Sequence, residues 1–151
     1  MNLNERGIQV MHEFEGIKLE AYLCPAKVPT IGWGNTRYED GTPVKMGESI
    51  SRQRADELFK NIASTFARGV DNLVTANLND NQFSALVCFA YNVGIGNLKR
   101  STLLRKVNAN PEDPGIRGEF MRWNKAGGRE LAGLTRRRKA EADLYFTPSL
   151  G

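Results

Sequence analysis

The hydrophobic pattern changes period once, near residue 50, and that change limits what the chain can become. From Ser51 onward, Ala55, Leu58, Phe59, Ile62, Phe66, Val70 and Leu73 recur at helical spacing. They form one face of an amphipathic α-helix about twenty residues long. Before it, residues 17–50 set Tyr22, Val28, Thr30, Ile31 and Trp33 among Gly32, Gly34, Gly41, Gly47, Pro25, Pro29 and Pro43. Glycine and proline at that density break helices and favour tight turns, so this stretch reads as two or three short strands. Asp40-Gly41 is expected to turn a hairpin. So small a sheet is not stable alone and needs a helical body to pack on.

The rest of the chain supplies that body. Asn2 or Asn4 is expected to cap a short first helix with Ile8, Met11 and Phe14 on one face, and Gly16 to end it. After the long helix, Asp80 is expected to cap a helix through Phe83, Leu86, Val87, Cys88, Phe89, Ala90 and Tyr91, ended by Gly94 and Gly96. It is apolar on nearly every side, which suits the centre of a helical core. Ser101 opens a short helix with Leu103, Leu104 and Val107, and Asn108–Gly115 reads as a loop. Ile116, Phe120 and Trp123 share a helix that Gly127-Gly128 breaks, and Thr135 caps a last helix that Pro148 ends. The expected architecture is α+β, one domain over residues 1–151 with two lobes. A small N-terminal lobe (about 1–55) holds a short antiparallel sheet, and a larger C-terminal lobe (about 75–151) is helical. The long helix, about 52–73, joins them, and the cleft between such lobes suits a long substrate.

A chain of 151 residues buries roughly two-thirds of its unfolded surface and needs no staples to hold a core. Two cysteines and one histidine supply neither a disulfide framework nor a conventional zinc site, so no metal and no cofactor are expected. The longest apolar run, Ala85–Tyr91, falls far short of the roughly 18 residues of a membrane span. The opening MNLNERGIQV lacks a basic stretch followed by an apolar one, so no secretory signal is expected. The net charge is +4 and unevenly placed. Residues 1–75 hold nine Lys/Arg against ten Asp/Glu, and residues 76–151 hold twelve against seven. A basic half suits an anionic polymer, unless it serves only solubility. The aromatics sit at core spacing instead of interleaving with the cations, which argues against nucleic acid.

No phosphate loop, nucleophile elbow or His-Glu-x-x-His is present. His12 reads as a solvated helix residue. Glu15 sits at the C-terminal end of the first helix beside Phe14. The helix dipole is negative there, and burial against Phe14 also opposes charge, a setting that suits a general acid. A solvated glutamate is the plain alternative. Cys24 follows nine residues on, in a Gly/Pro-punctuated loop, and Thr30 six further. Cys88, inside the apolar helix, reads as a small core hydrophobe.

These residues carry a resemblance. Glu, eight residues, Asp or Cys, five residues, Thr is the pattern of the phage-type lysozymes of glycoside hydrolase family 24, and Glu15, Cys24 and Thr30 match it. Phe14-Glu15-Gly16 with Ala21-Tyr22 resembles the family's opening. Thr30-Ile31-Gly32-Trp33-Gly34-Asn35-Thr36 resembles its Thr-Ile-Gly-aromatic-Gly-His-Thr stretch. Gln82–Leu86, Tyr91–Gly94, Ser101–Leu104, Trp123–Gly128 and Gly133–Arg138 follow in the family's order. Two departures stand out: Asn35 where histidine is common, and Lys27-Val28-Pro29 before the threonine where Gly-Val-aromatic is usual. Asn35 removes an ionisable group and bears on the pH profile.

The resemblance implies a lysozyme-like fold and hydrolysis of the β-1,4 bond between N-acetylmuramic acid and N-acetylglucosamine in peptidoglycan. Glu15 would be the general acid, with Cys24 and Thr30 beside an attacking water and inversion as the outcome. Gly32, Trp33, Asn35, Tyr91, Asn92, Ser101, Thr102 and Arg136 are the expected substrate-binding residues. A free thiol titrates near 8.5 unless its site lowers that value, so Cys24 as weak base, partial thiolate or polar water partner all stay open. The implied partner is bacterial peptidoglycan, with an anionic wall or outer-membrane surface as a second contact, no nucleic acid and no stable membrane insertion. The chain is expected to be a monomer made in the host bacterial cytoplasm. It would act on the periplasmic wall after release by a holin-type partner. Arg136–Lys139, four consecutive cations, are expected to project around the last helix, partly solvated and partly paired with Glu141 or Asp143. A lytic transglycosylase and a non-catalytic binder of anionic polymer are the competing readings.

Overall fold

The computed structural model describes residues 1–148, which carry seven helices and two two-stranded antiparallel sheets. The chain divides into two compact units: residues 12–65, and residues 1–11 together with the chain from Phe66 onward.

In the first unit, helix α1 (Glu5–Glu15) delivers its last turn. Strand β1 (Lys18–Leu23) pairs with β2 (Pro29–Gly32), setting Tyr22 opposite Thr30 and Leu23 opposite Pro29, with an irregularity between Lys18 and Tyr22. The connecting turn is closed by Cys24 N–H to the Val28 carbonyl (3.1 Å) and Lys27 N–H to the Cys24 carbonyl (2.7 Å). Asp40-Gly41 does turn a hairpin: Tyr38 N–H donates to the Thr42 carbonyl at 2.9 Å, and Gly41 takes φ +85°. Helix α2 (Arg52–Leu73) is capped by Ser51, whose Oγ accepts from Arg54 N–H at 3.0 Å. Its apolar face brings Leu58 onto Ile31 and Val44, with Ala21, Tyr38, Ile50 and Ile62 packed around them.

His12 is not the solvated residue expected from its sequence. Its ring stacks on Trp33 with centroids 3.7 Å apart and planes 9° apart, and Phe59 closes edge-on at 4.4 Å. The aromatic surface of Trp33 needs cover that a solvated His12 would not supply.

The second unit centres on α3 (Asp80–Val93), whose residues Asn81–Ala90 are all buried. Its N-cap is Asn79, one residue before the expected Asp80. Asn79 and Gln82 exchange side-chain and backbone hydrogen bonds as a capping box. Gly94 ends α3 and at once starts α4 (Ile95–Arg100), so Gly96 lies inside a helix the sequence did not suggest. Helix α5 (Thr102–Ala109) extends into the expected loop, and α6 (Ile116–Met121) stops short of Trp123. Gly127 and Gly128, both at positive φ, join β3 (Lys125–Ala126) to β4 (Arg129–Glu130) as a hairpin. Helix α7 (Ala132–Tyr145) starts three residues before Thr135, which sits in its first turn.

Arg136–Lys139 are partly solvated and partly paired with Glu141 or Asp143, as expected, but the Glu141 pairs lie in the core and not on a solvated face. Arg136 and Lys139 are exposed, but Arg137 is 3% exposed and Arg138 and Glu141 are 0%. Arg137 Nε donates to Glu141 Oε2 (3.1 Å) and its Nη2 to the Cys88 carbonyl (3.1 Å). Arg138 pairs with Glu141 Oε1, donates to the Trp123 carbonyl (2.9 Å) and lies 5.1 Å over the Phe89 ring. Two cations enter the core because a carboxylate and two backbone carbonyls meet their N–H groups there.

One exposed cluster has a clear pH signature. Arg54 grips Glu39 with two N–H bonds (2.6 and 2.8 Å) and Asn61 adds a third (2.9 Å). These donors hold the Glu39 carboxyl down at about 2. A lowered folded value means the stabilisation is present above the unfolded carboxylate range and is lost as pH falls from about 5 towards 2. Glu39→Gln is expected to lower the melting temperature slightly at pH 7, since a third-exposed pair is worth about 0.2–1 kcal/mol. The difference should shrink steadily from pH 5 as pH falls through 2; a difference that stays constant over that range means the ion pair is not its source.

Candidate active site

Glu15 is the last residue of α1. Gly16 turns the chain at φ +66°, its N–H bonded to the His12 carbonyl at 3.0 Å, and leaves the Glu15 side chain half-buried. The carboxyl lies against the backbone of Gly34. A Cβ there would stand 3.1 Å from Glu15 Cδ and 3.6 Å from its Cβ, and would overlap Oε1. Gly34 also takes φ +79°. The backbone angle requires glycine, and any Cβ there would displace the Glu15 carboxyl.

The loop that presents Gly34 is short and closed by two backbone hydrogen bonds. Ile31 N–H donates to the Asn35 carbonyl (2.8 Å) and Asn35 N–H to the Ile31 carbonyl (2.9 Å), enclosing Gly32, Trp33 and Gly34. Trp33 points inward at 7% exposure. Its Nε1–H donates to Asp56 Oδ1 (2.9 Å), and the Arg52 guanidinium sits 5.4 Å over its ring. That N–H, with Arg52 adding to it, holds the Asp56 carboxyl below its ordinary range. Gly32 has φ +66° and faces Asn35 Oδ1 and Ala55 across 3.5 and 3.7 Å from where a Cβ would be. Gly32, Trp33 and Asn35 are therefore buried framework of the turn on which Glu15 rests.

Thr30 lies in β2, 3% exposed, and its hydroxyl donates to the Val28 carbonyl at 2.8 Å. Cys24 is half-exposed at the end of the same hairpin. The backbone N–H of Val28, then the Thr30 hydroxyl and the Ala26 N–H, hold the Cys24 thiol below its ordinary range, with burial acting against them. Thr30 has one proton and two acceptors for it, the Val28 carbonyl and the Cys24 sulfur, so ionising Cys24 draws that proton towards sulfur.

Tyr22 belongs with these residues, although the motif does not single it out. It pairs with Thr30 across the sheet and stands two residues before Cys24, which opens the turn after β1. Its phenol is pushed above its ordinary value by burial first, then by the negative charges of Glu15 and Cys24. One phenol thus feels both groups. Its place depends on the strand register that sets it opposite Thr30.

The phage lysozyme family model matches residues 12–141. The chain belongs to the phage lysozyme family. It is 40% identical over 149 residues to the endolysin of Bacillus phage B103, covering 97% of the chain and 55%, about half, of that relative's length. It is 33% identical over 142 residues to the endolysin of Salmonella phage P22, covering 94% of the chain and 97% of that protein. The solved endolysin from Escherichia coli O157:H7 phage FAHEc1 superposes with a TM-score of 0.86 at 35% identity, over 97% of the chain and 94% of that structure.

The other residues expected to bind substrate in this phage lysozyme family member lie in the second unit and have different surroundings. Ser101 is 4% exposed and caps α5: its Oγ accepts from Leu104 N–H (3.0 Å) and donates to the Leu98 carbonyl (2.7 Å). The Thr102 hydroxyl accepts from Arg105 (2.8 Å). Tyr91 is half-buried, its ring 5.5 Å from that of Phe66. Asn92 and Arg136 are exposed. Among the described residues, no three His, Cys, Asp or Glu cluster closely enough to hold a metal ion, and no helix is long and apolar enough to cross a membrane.

Proposed function

We propose that this phage lysozyme family member is a muramidase, cutting the β-1,4 bond between N-acetylmuramic acid and N-acetylglucosamine in bacterial peptidoglycan. The observation that carries this reading is the Glu15 carboxyl seated against Gly34, in the field of the same phenol that faces Cys24. Glu15 donates its proton to the leaving oxygen as the sugar becomes oxocarbenium-like. A water attacks from the opposite face, giving inversion. The Thr30 hydroxyl orients that water, and Cys24, with a lowered thiol, takes its proton or faces the developing positive charge. The chain acts as a monomer on the periplasmic wall, after release from the host cytoplasm by a holin-type partner. Of the four consecutive cations, only Arg136 and Lys139 are exposed to meet an anionic wall.

Product analysis on isolated sacculi tests the reaction. Reducing-end N-acetylmuramic acid is the expected product. An anhydro-sugar would instead mean transglycosylation, and binding without cleavage would leave a non-catalytic binder.

Cys24 gives a second test. Its lowered thiol predicts that alkylation is half-maximal in rate below the ordinary value of about 8.5. Cys88 should stay unreactive, being 0% exposed with its thiol donating to the Gly7 carbonyl at 3.1 Å. Alkylation should inhibit, Cys24→Ala should lose most activity, and Cys24→Asp should keep it. Full activity after complete modification of Cys24 would remove it from the mechanism.

A further inference from the structure

Arg138 is a fully buried cation whose N–H groups are aimed at named acceptors. Nε serves the Trp123 carbonyl (2.9 Å), Nη1 serves Glu141, and Nη2 serves the Oδ1 of Asn92. Glu141, shared with Arg137, is paired with it. Phe89 lies under the guanidinium plane at 5.1 Å and helps fix its direction. Asn92 is different in kind: it sits exposed in the last turn of α3, just before Gly94 takes φ +96°.

A guanidinium has donors and no acceptor, so only the oxygen of a carboxamide can face it. That settles the direction of the Asn92 side chain. Its oxygen accepts from a fully buried guanidinium, which leaves its NH2 facing away from Arg138. An unrestrained asparagine offers solvent either end; this one offers only donors.

We infer that Arg138 is a positioning residue that turns Asn92 into a fixed outward pair of N–H donors, a subsite for an acceptor oxygen of the wall polymer. The inference rests on the muramidase reading for the identity of that polymer. The acceptor chemistry is that of a carbonyl or carboxylate oxygen, supplied either by the acetamido group of a sugar or by the stem peptide.

Substitution by aspartate is the informative change. Asn92→Asp keeps an oxygen for Arg138, and adds charge to that contact, while removing both donors. Binding of soluble glycan strands to the catalytically silent Glu15→Gln chain is measured with Asn92, Asn92→Asp and Asn92→Ala. Both substitutions should weaken binding by about five- to tenfold, the worth of a lost hydrogen bond, with melting temperatures unchanged or raised for Asn92→Asp. In the Glu15-containing chain the same loss should fall on KM, with kcat within about twofold, because a group that binds ground and transition state alike moves KM alone. Equal binding by all three overturns the proposal. Weakening by Asn92→Asp alone also overturns it, since charge repulsion then explains the effect.

Strands with and without stem peptides separate the two sources. Loss on peptide-free strands assigns the acetamido carbonyl, and loss only on peptide-bearing strands assigns the peptide. Arg138→Lys keeps a charge opposite Glu141 but not the fork. It should weaken binding beside Asn92 and add nothing beside Asn92→Ala. An equal loss in both backgrounds, or none, removes Arg138 from the positioning role. If Arg138→Lys does not fold, the Asn92 pair alone decides. Failure of the Glu15-containing chain to cleave any glycan would sink the muramidase reading itself, and is read separately from binding.

Discussion

Glu15→Gln is expected to abolish lysis of outer-membrane-permeabilised cells while the protein stays folded. Glutamine has the size and planar shape of glutamate, so it fills the same seat over Gly34. What it lacks is a proton to give to a leaving oxygen. A general acid contributes about 10²–10⁴-fold to rate, and the loss should be of that order in the release of soluble fragments from sacculi. Melting temperature, measured alongside, should match wild type, because the position is a helix end with a half-buried side chain. A folded Glu15→Gln chain that solubilises sacculi at the wild-type rate would mean another group is the acid.

The largest effect on stability is expected at Glu141. It is 0% exposed and answers both Arg137 and Arg138. Replacing it with glutamine removes the carboxylate that both buried guanidinium groups share. Removing one member of a buried ion pair costs about 3–5 kcal/mol, a large share of the roughly 5–15 kcal/mol that holds a typical domain. Urea unfolding should show the midpoint collapse. By contrast, replacing all three with apolar residues of similar volume should cost little, since buried ion pairs are often neutral against apolar substitutes. A Glu141→Gln chain within about 1 kcal/mol of wild type would show that the arginines find other partners.

Much of the fold was legible where pattern and physics coincide. The run from Ala55 to Leu73 reads as a helix face because seven apolar residues repeat at one period, and α2 covers it. Helix α4 was hidden because Gly94 and Gly96 read as breakers. Gly94 in fact ends one helix and begins the next without a gap. The second hairpin was hidden because its strands are two residues long and carry no alternation. Glu15, Cys24 and Thr30 stand out through spacing, but Tyr22 and Gly34 depend on strand register and on a turn closed by Ile31 and Asn35, neither of which spacing encodes. The burial of Arg137 and Arg138 escapes the sequence for a similar reason. A run of cations is usually solvated, and the carbonyls of Cys88 and Trp123 that receive them are 49 and 15 residues away.

Those separations bear on how the chain assembles during synthesis. Cys88, Phe89, Asn92 and Trp123 leave the ribosome well before α7, and each is shaped to receive part of it. Until Arg137, Arg138 and Glu141 emerge together, the carbonyls and the Phe89 face must stay open to water. The native contacts of this unit are therefore complete only when α7 is in place. A chain cut before residue 141 is expected to leave this helical unit unfolded, since domains fold as units.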